Sequence, residues 1–248
     1  REDNPKKILK NEIITKYKQL DAATVFSGIR SVLIKKSKEN YNDVTGYEKS
    51  YMTNVFNQTN KGTMVGFAKT LRMLPPRMDL INELPSGENS AEFLAMSSCN
   101  ELNVLVMDAM GLSFASVGGD VKFLNLHINK AAGLVTDGAI RDLEDVTKYG
   151  FSIFSGSRTA SVGIPHVYPY ESNVPISCGQ TLVKPDDLII GDTEGVVVVP
   201  NFIINEVLEW STEHKKQENY IKNRSINEKV STGKYYNNEF FRKLTKGN

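Results

Sequence analysis

From Gly118 to Asp142 the chain reads GGDVKFLNLHINKAAGLVTDGAIRD. A glycine pair, an apolar-periodic run, another glycine, a short apolar segment and an Arg-Asp turn follow one another. Val121, Leu124, Ile128 and Ala131 recur at helical spacing and predict a helix over 121–132 with those residues on its buried stripe. Gly133 interrupts it, and Leu134-Val135-Thr136 predicts a strand. A loop, helix, strand and second turn in that order bring Asp120, Arg141 and Asp142 to one end of a sheet.

Working outward, Asn103-Val-Leu-Val-Met-Asp108 is a continuous apolar run, as expected of a strand covered on both faces. Gly62 to Arg72 alternates as a strand and Pro75-Pro76 close it. Ser90 to Asn100 predicts a helix, and Ile140 to Tyr149 predicts another that ends at Gly150. Strand–helix alternation through Phe154 predicts a βαβ arrangement with parallel pairing. Beyond it, Thr181–Val183, Leu188–Ile190 and Val196–Val199 are short strands separated by Gly, Pro and Asp turns, a β-rich half. Phe202 to Tyr220 predicts an amphipathic helix carrying Trp210. The first sixty residues contain two helical patterns and an irregular connection from Lys38 to Lys61, and residues 221–248 form a basic, polar tail. The expected divisions are an extension over 1–61, an α/β core over 62–200 and a C-terminal helix and tail over 201–248.

The 248 residues suffice for a well-buried core. A formal net charge of +1 gives no global field toward nucleic acid or an anionic membrane, so neither partner is expected. No apolar run reaches the length of a membrane span. Cys99 and Cys178 suit a reduced compartment, and a cytoplasmic protein is expected. Arg1 in place of Met suggests trimming or excision from a longer chain.

Gly118-Gly119 before a helix leaves backbone N–H groups open to a carboxylate or phosphate. Asp120 reads first as a cap of that helix. Arg141 in a first helical turn opposes the helix dipole, which an anionic ligand would relieve, whereas Asp142 suits it. Taken together, a backbone cradle, a guanidinium and two carboxylates suit an oxygen-rich acid with a hard divalent cation, because Mg²⁺ takes one or two carboxylates plus waters and substrate oxygens. His127, His166 and His214 are scattered and form no zinc pattern. There is no nucleophile elbow and no phosphate loop. Lys122 and Lys130 read as solvated lysines excluded from the helix stripe.

Gly119-Asp120 followed by Arg141-Asp142 resembles the signature of the RraA-like proteins, which include metal-dependent 4-hydroxy-4-methyl-2-oxoglutarate/4-carboxy-4-hydroxy-2-oxoadipate aldolases. The segments from Gly62, from Gly133 and from Val183 to Pro200 are similar to that family's early, central and closing strands, with Glu194 where an aspartate is common. The resemblance implies an α/β/β sandwich with a swivelling-type central β layer, here with extra N- and C-terminal helices, assembled as a homotrimer or homohexamer. It implies Asp142 as the anchor of Mg²⁺, Mn²⁺ or another divalent cation. Arg141 would meet the substrate's keto oxygen, Asp120 would hold water at the metal, and Val117, Gly118 and Gly119 would offer backbone donors to the substrate carboxylate. An acidic residue from a neighbouring subunit is also implied, with Glu206 and Glu209 as candidates. The implied activity is a carbon–carbon lyase that cleaves a 4-hydroxy-2-oxo acid, or decarboxylates oxaloacetate, through a pyruvate enolate. The alternative is a non-catalytic regulator that binds a ribonuclease, as RraA does. A methyltransferase is disfavoured, because the glycine pair lacks the longer pattern of a nucleotide-methyl-donor site.

Overall fold

The computed structural model describes residues 5–40 and 49–236. Tyr41 and Tyr47 of the irregular connection, and the tail from 237, lie outside the described residues.

The sheet is built around strand β5 (Gly133–Ile140), all eight residues of which are buried. It lies between β3 (Asn103–Asp108) and β6 (Ser152–Arg158), parallel to both. β2 (Met64–Leu74) runs parallel to β3 on its far side. The short strand β4 (Ser116–Gly118) also runs parallel to β5, pairing Ser116 with Ala139 and Gly118 with Ile140. Antiparallel strands complete the layer. The hairpin β10 (Leu188–Asp192) and β11 (Gly195–Val199) joins β2, β7 (Tyr168–Ser172) joins the other end of β2, and β1 (Phe56–Asn57) joins β6. A separate hairpin, β8 (Ile176–Cys178) with β9 (Thr181–Val183), covers part of one face.

The two-residue period of a strand divides the core. In β3, Leu105 and Met107 pack with Phe123 and Leu126 on one face, while Val104 and Val106 pack with Phe154 and Val135 on the other. The first face is covered by α4 (Ala91–Ser97), α5 (Asp120–Ile128) and the single turn α6 (Leu143–Val146). A third cluster joins the β2, β10 and β11 end of the sheet to α1 (Pro5–Tyr17), α2 (Ala22–Asn40) and α7 (Ile204–Glu228). Tyr17 is fully buried there and its hydroxyl donates to the Ile204 carbonyl at 2.7 Å.

Three local expectations are corrected. In α5 the buried residues are Phe123 and Leu126, while Val121, Leu124 and Ile128 are exposed, Val121 at 83%. The helix starts at Asp120 against Gly118, and the Phe123 ring fills the space a side chain on Gly118 would need, which turns the other stripe outward. Ile140 belongs to β5 rather than to a helix; the chain then turns through α6 and a 3-10 turn at Thr147–Tyr149, ending at Gly150 with φ +93° as foreseen. The last helix runs past Tyr220 to Glu228, where Lys229 terminates it in the left-handed region.

Candidate functional site

Because β4 and β5 run parallel side by side, the residues that follow each strand emerge at the same end of the sheet. Gly119 and Asp120 follow β4; Arg141 and Asp142 follow β5. The Arg141 N–H donates to the Gly118 carbonyl at 2.9 Å and locks the two turns together. This is the carboxyl end of the strands, where open α/β sheets bind ligands.

Asp142 has φ +51° and ψ +36°, a left-handed conformation uncommon for a side chain other than Asn or Asp. It stands at the cap position of α6, yet its side chain makes no capping bond. Its carboxylate instead faces the glycine pair: Oδ2 would lie 2.5 Å from a Cβ on Gly119 and is 3.5 Å from the Asp120 N–H. Gly119 is extended, with φ −153°, so its lack of a side chain is needed for this close approach rather than for backbone freedom.

Asp120 does not cap α5 either. Its carboxylate accepts a short hydrogen bond from the Tyr149 hydroxyl, which also reaches the Asp120 carbonyl at 3.4 Å. That bond holds the Tyr149 phenol protonated up to about 12. Tyr149 is placed by His127, which stacks on its ring and donates through Nδ1 to its carbonyl at 2.8 Å.

Val117, Gly118, Gly119, Arg141 and Asp142 line one cavity of about 390 Å³. Asp120 is absent from the lining. Arg141 Nε is buried without a hydrogen-bond partner, although a buried guanidinium N–H left unpaired is costly. The opposite wall comes from α4 and the segment before it, with Ser90, Glu92 and Phe93, and from Val162–Ile164. Lys122 is not a free solvated lysine. Its ammonium pairs with Glu92 at 2.6 Å inside the cavity and lies 3.5 Å from the Val117 carbonyl. The cause is again Gly118, which lets the Lys122 stem fold back across the start of α5. Ser90 and Glu92 carry no motif that sequence reading could use: the partner of Glu92 lies in another helix, and the Ser90 hydroxyl has no partner.

One carboxylate at an open cavity edge fits a hard divalent cation that keeps most of its waters. No group of three or more His, Cys, Asp or Glu side chains among the described residues would form a protein cage for a metal. Glu206 sits on α7 in an ion pair with Lys36 at 2.9 Å, away from this cavity's lining.

A second cavity of about 610 Å³ holds Asp108 and Asp137. Asp137 is 5% exposed and accepts N–H bonds from Ala109 (2.7 Å), Gly111 (3.0 Å) and Gly179 (3.1 Å). It thereby ties the loop after β3 to the β8–β9 hairpin. Burial pushes both carboxyls above the ordinary range, and at Asp108 the charge of Asp137 adds to the effect.

The fold defines a mixed α/β protein of the sandwich class, with a carboxylate and a guanidinium lining one cavity at parallel strand ends. A family model described as RraA-like, Aldolase/RraA, matches residues 32–198, and the chain belongs to that family. It is 33% identical over 158 residues to a Halalkalibacterium halodurans protein named "Putative 4-hydroxy-4-methyl-2-oxoglutarate aldolase", covering 62% of this chain and 72% of that one. Legionella pneumophila protein DlpA is 26% identical over 159 residues, 64% of this chain and 25% of its own length. Among solved structures, Streptomyces coelicolor RraAS2, titled an unusual member of the RNase ES inhibitor RraA family, superposes with a TM-score of 0.71 at 25% identity. The match covers 86% of this chain and 98% of that one. An uncharacterized Pseudomonas syringae protein shares the fold, with a TM-score of 0.68 at 21% identity over 90% and 96% of the two chains. No helix among the described residues is long and apolar enough to cross a membrane.

Proposed function

We propose that this chain is a divalent-metal-dependent carbon–carbon lyase that cleaves a 4-hydroxy-2-oxo acid to pyruvate and a carbonyl fragment, and decarboxylates oxaloacetate by the same logic. The observation that carries this reading is the pairing of an uncapped Asp142 carboxylate with the unpartnered Arg141 Nε in one cavity. Mg²⁺ or Mn²⁺ bound at Asp142 would supply Lewis acidity toward the substrate's carboxylate and keto oxygens. Arg141 then offers a fixed positive charge where negative charge develops on the keto oxygen, already desolvated and already in place. Backbone N–H groups of the Val117–Gly119 turn orient the substrate carboxylate. Asp120, held by Tyr149 next to Gly119, keeps a water in position to take the 4-hydroxyl proton or return one to the enolate. We read the working form as a homo-oligomer, trimer or hexamer, since the exposed Val121, Leu124 and Ile128 stripe of α5 is a surface a second copy would cover.

Purified protein with Mg²⁺ or Mn²⁺ is expected to release pyruvate from oxaloacetate or a 4-hydroxy-2-oxo acid, and EDTA is expected to stop it. Unchanged rates in Arg141→Ala or Asp142→Ala would remove these residues from the reaction. If no 2-oxo acid is cleaved and the protein captures a ribonuclease, the regulatory reading replaces the enzymatic one.

A further inference from the structure

Among the polar groups in the cavity that the keto-acid chemistry does not use are Ser90, Glu92 and Lys122. Ser90 occupies the cap position of α4 but makes no capping bond, is 9% exposed, and its hydroxyl is buried without any partner. Glu92 and Lys122 pair at 2.6 Å with side chains 13% and 30% exposed. Lys122 lies against Gly118 and Val117, whereas Asp142 lies against Gly119. Lys122 thus stands toward the Val117 end of the glycine turn and Asp142 toward its Gly119 end.

From these groups, and resting on the lyase reading above, we infer that the cavity selects a 4-hydroxy-2-oxo acid whose departing fragment is neutral and hydroxylated, with Ser90, Glu92 and Lys122 as the specificity-determining residues. The cavity's charged side chains are Arg141, Lys122, Asp142 and Glu92, two of each sign. Arg141 and the cation site serve the keto-acid end. At the other end Glu92 neutralises Lys122, so no net positive charge remains there to repay the desolvation of a second carboxylate. Glu92 itself would repel one. A donor–acceptor pair in contact, flanked by a free hydroxyl, matches hydroxyls on neighbouring carbons, each of which both donates and accepts. The reaction balances without a redox partner. The 4-hydroxyl loses its proton, the C3–C4 bond breaks with its electrons going to the pyruvate enolate, C4 leaves as an aldehyde carrying the hydroxylated tail, and the enolate is protonated at C3.

The test compares two substrates of equal length with Mg²⁺, 4,5,6-trihydroxy-2-oxohexanoate and 4-hydroxy-2-oxohexanedioate, by pyruvate release. The wild-type protein is expected to favour the trihydroxy acid by on the order of tenfold or more in kcat/KM, the scale of one or two hydrogen bonds. Glu92→Gln is expected to shrink that ratio about tenfold, chiefly through KM, because it removes the repulsion of a second carboxylate and leaves the Lys122 charge unneutralised. Ser90→Ala is expected to lower kcat/KM for the trihydroxy acid while leaving the thermal midpoint unchanged or raised, since its hydroxyl bonds nothing within the chain. A wild-type preference for the diacid, or a ratio unmoved in both variants, overturns the inference and leaves the lyase reading standing. Turnover of neither substrate, nor of oxaloacetate, overturns both.

Discussion

The Oδ2 atom of Asp142 lies 2.5 Å from the point a Cβ on Gly119 would occupy, so the carboxylate after one strand rests on the bare backbone after its neighbour. Adding a methyl group there must displace the carboxylate, because Arg141 Cβ, 3.2 Å from the same point, blocks the other direction. Gly119→Ala is therefore expected to reduce pyruvate release by at least about tenfold, the scale of an ångström-sized misplacement or more. Circular dichroism should be unchanged, since Asp142 is exposed and the core lies behind it. Full activity in this variant would mean that Asp142 works from a different position.

Asp142→Asn separates charge from shape. Asn tolerates the left-handed backbone at this position as well as Asp does, the side chain does not cap α6, and the amide oxygen can keep the 3.5 Å contact with the Asp120 N–H. The thermal midpoint should move little, as for an exposed substitution worth about 0.5 kcal/mol or less. Calorimetric titration with Mn²⁺ should show binding weakened by on the order of a hundredfold, with pyruvate release falling in parallel. Retained Mn²⁺ affinity would place the cation elsewhere.

The parallel core was legible because β3 is apolar without alternation, the mark of a strand buried on both faces, and because Gly133 and Gly150 end the helical stretches before β5 and before β6. The juxtaposition of Gly119 with Arg141-Asp142 was legible for the same reason: a strand–helix–strand unit returns both turns to one end. What was not legible came from side chains reaching across elements. Lys122 read as solvent-facing because helical periodicity places Val121 and Leu124 inward, whereas contact with Gly118 rotates Phe123 into the core and folds Lys122 onto Glu92. Nothing in the sequence joins Ser90 or Glu92 to the glycine turn. Asp120 looked like a cap of α5, and its side chain does not cap that helix because Tyr149 holds it instead.

Arg141→Lys keeps the charge and discards the guanidinium geometry. The Nε of Arg141 is buried and unpartnered, so an N–H is held out of water for a ligand to meet. An ammonium on a shorter, flexible stem cannot reproduce that fixed direction. Loss of one preorganised donor from a developing oxyanion costs on the order of a hundredfold in kcat, and this is expected with KM changed much less. An equal rise in KM with kcat retained would make Arg141 a binding residue only.

The Asp108–Asp137 pair makes a pH prediction independent of catalysis. Burial raises both carboxyls in the folded chain, and Asp137 raises Asp108 further by its charge. An unfolded Asp titrates near about 3.9. Between that value and the raised folded ones, the folded chain holds more protons than the unfolded chain, so stability must fall as pH rises. The contribution is complete below the unfolded value and is lost as pH passes through the folded values. Asp108→Asn cannot ionise, which removes its share. Its remaining oxygen can still accept from Met110 N–H, 2.8 Å from Asp108 Oδ1, while the lost Ser177 contact at 3.3 Å is a constant offset at every pH. Urea midpoints measured in EDTA from about pH 4.5 to about pH 8 should decline less steeply in Asp108→Asn than in the wild-type chain. Parallel declines would show that Asp108 ionises without cost, and the coupling between the two carboxyls would then play no part in stability.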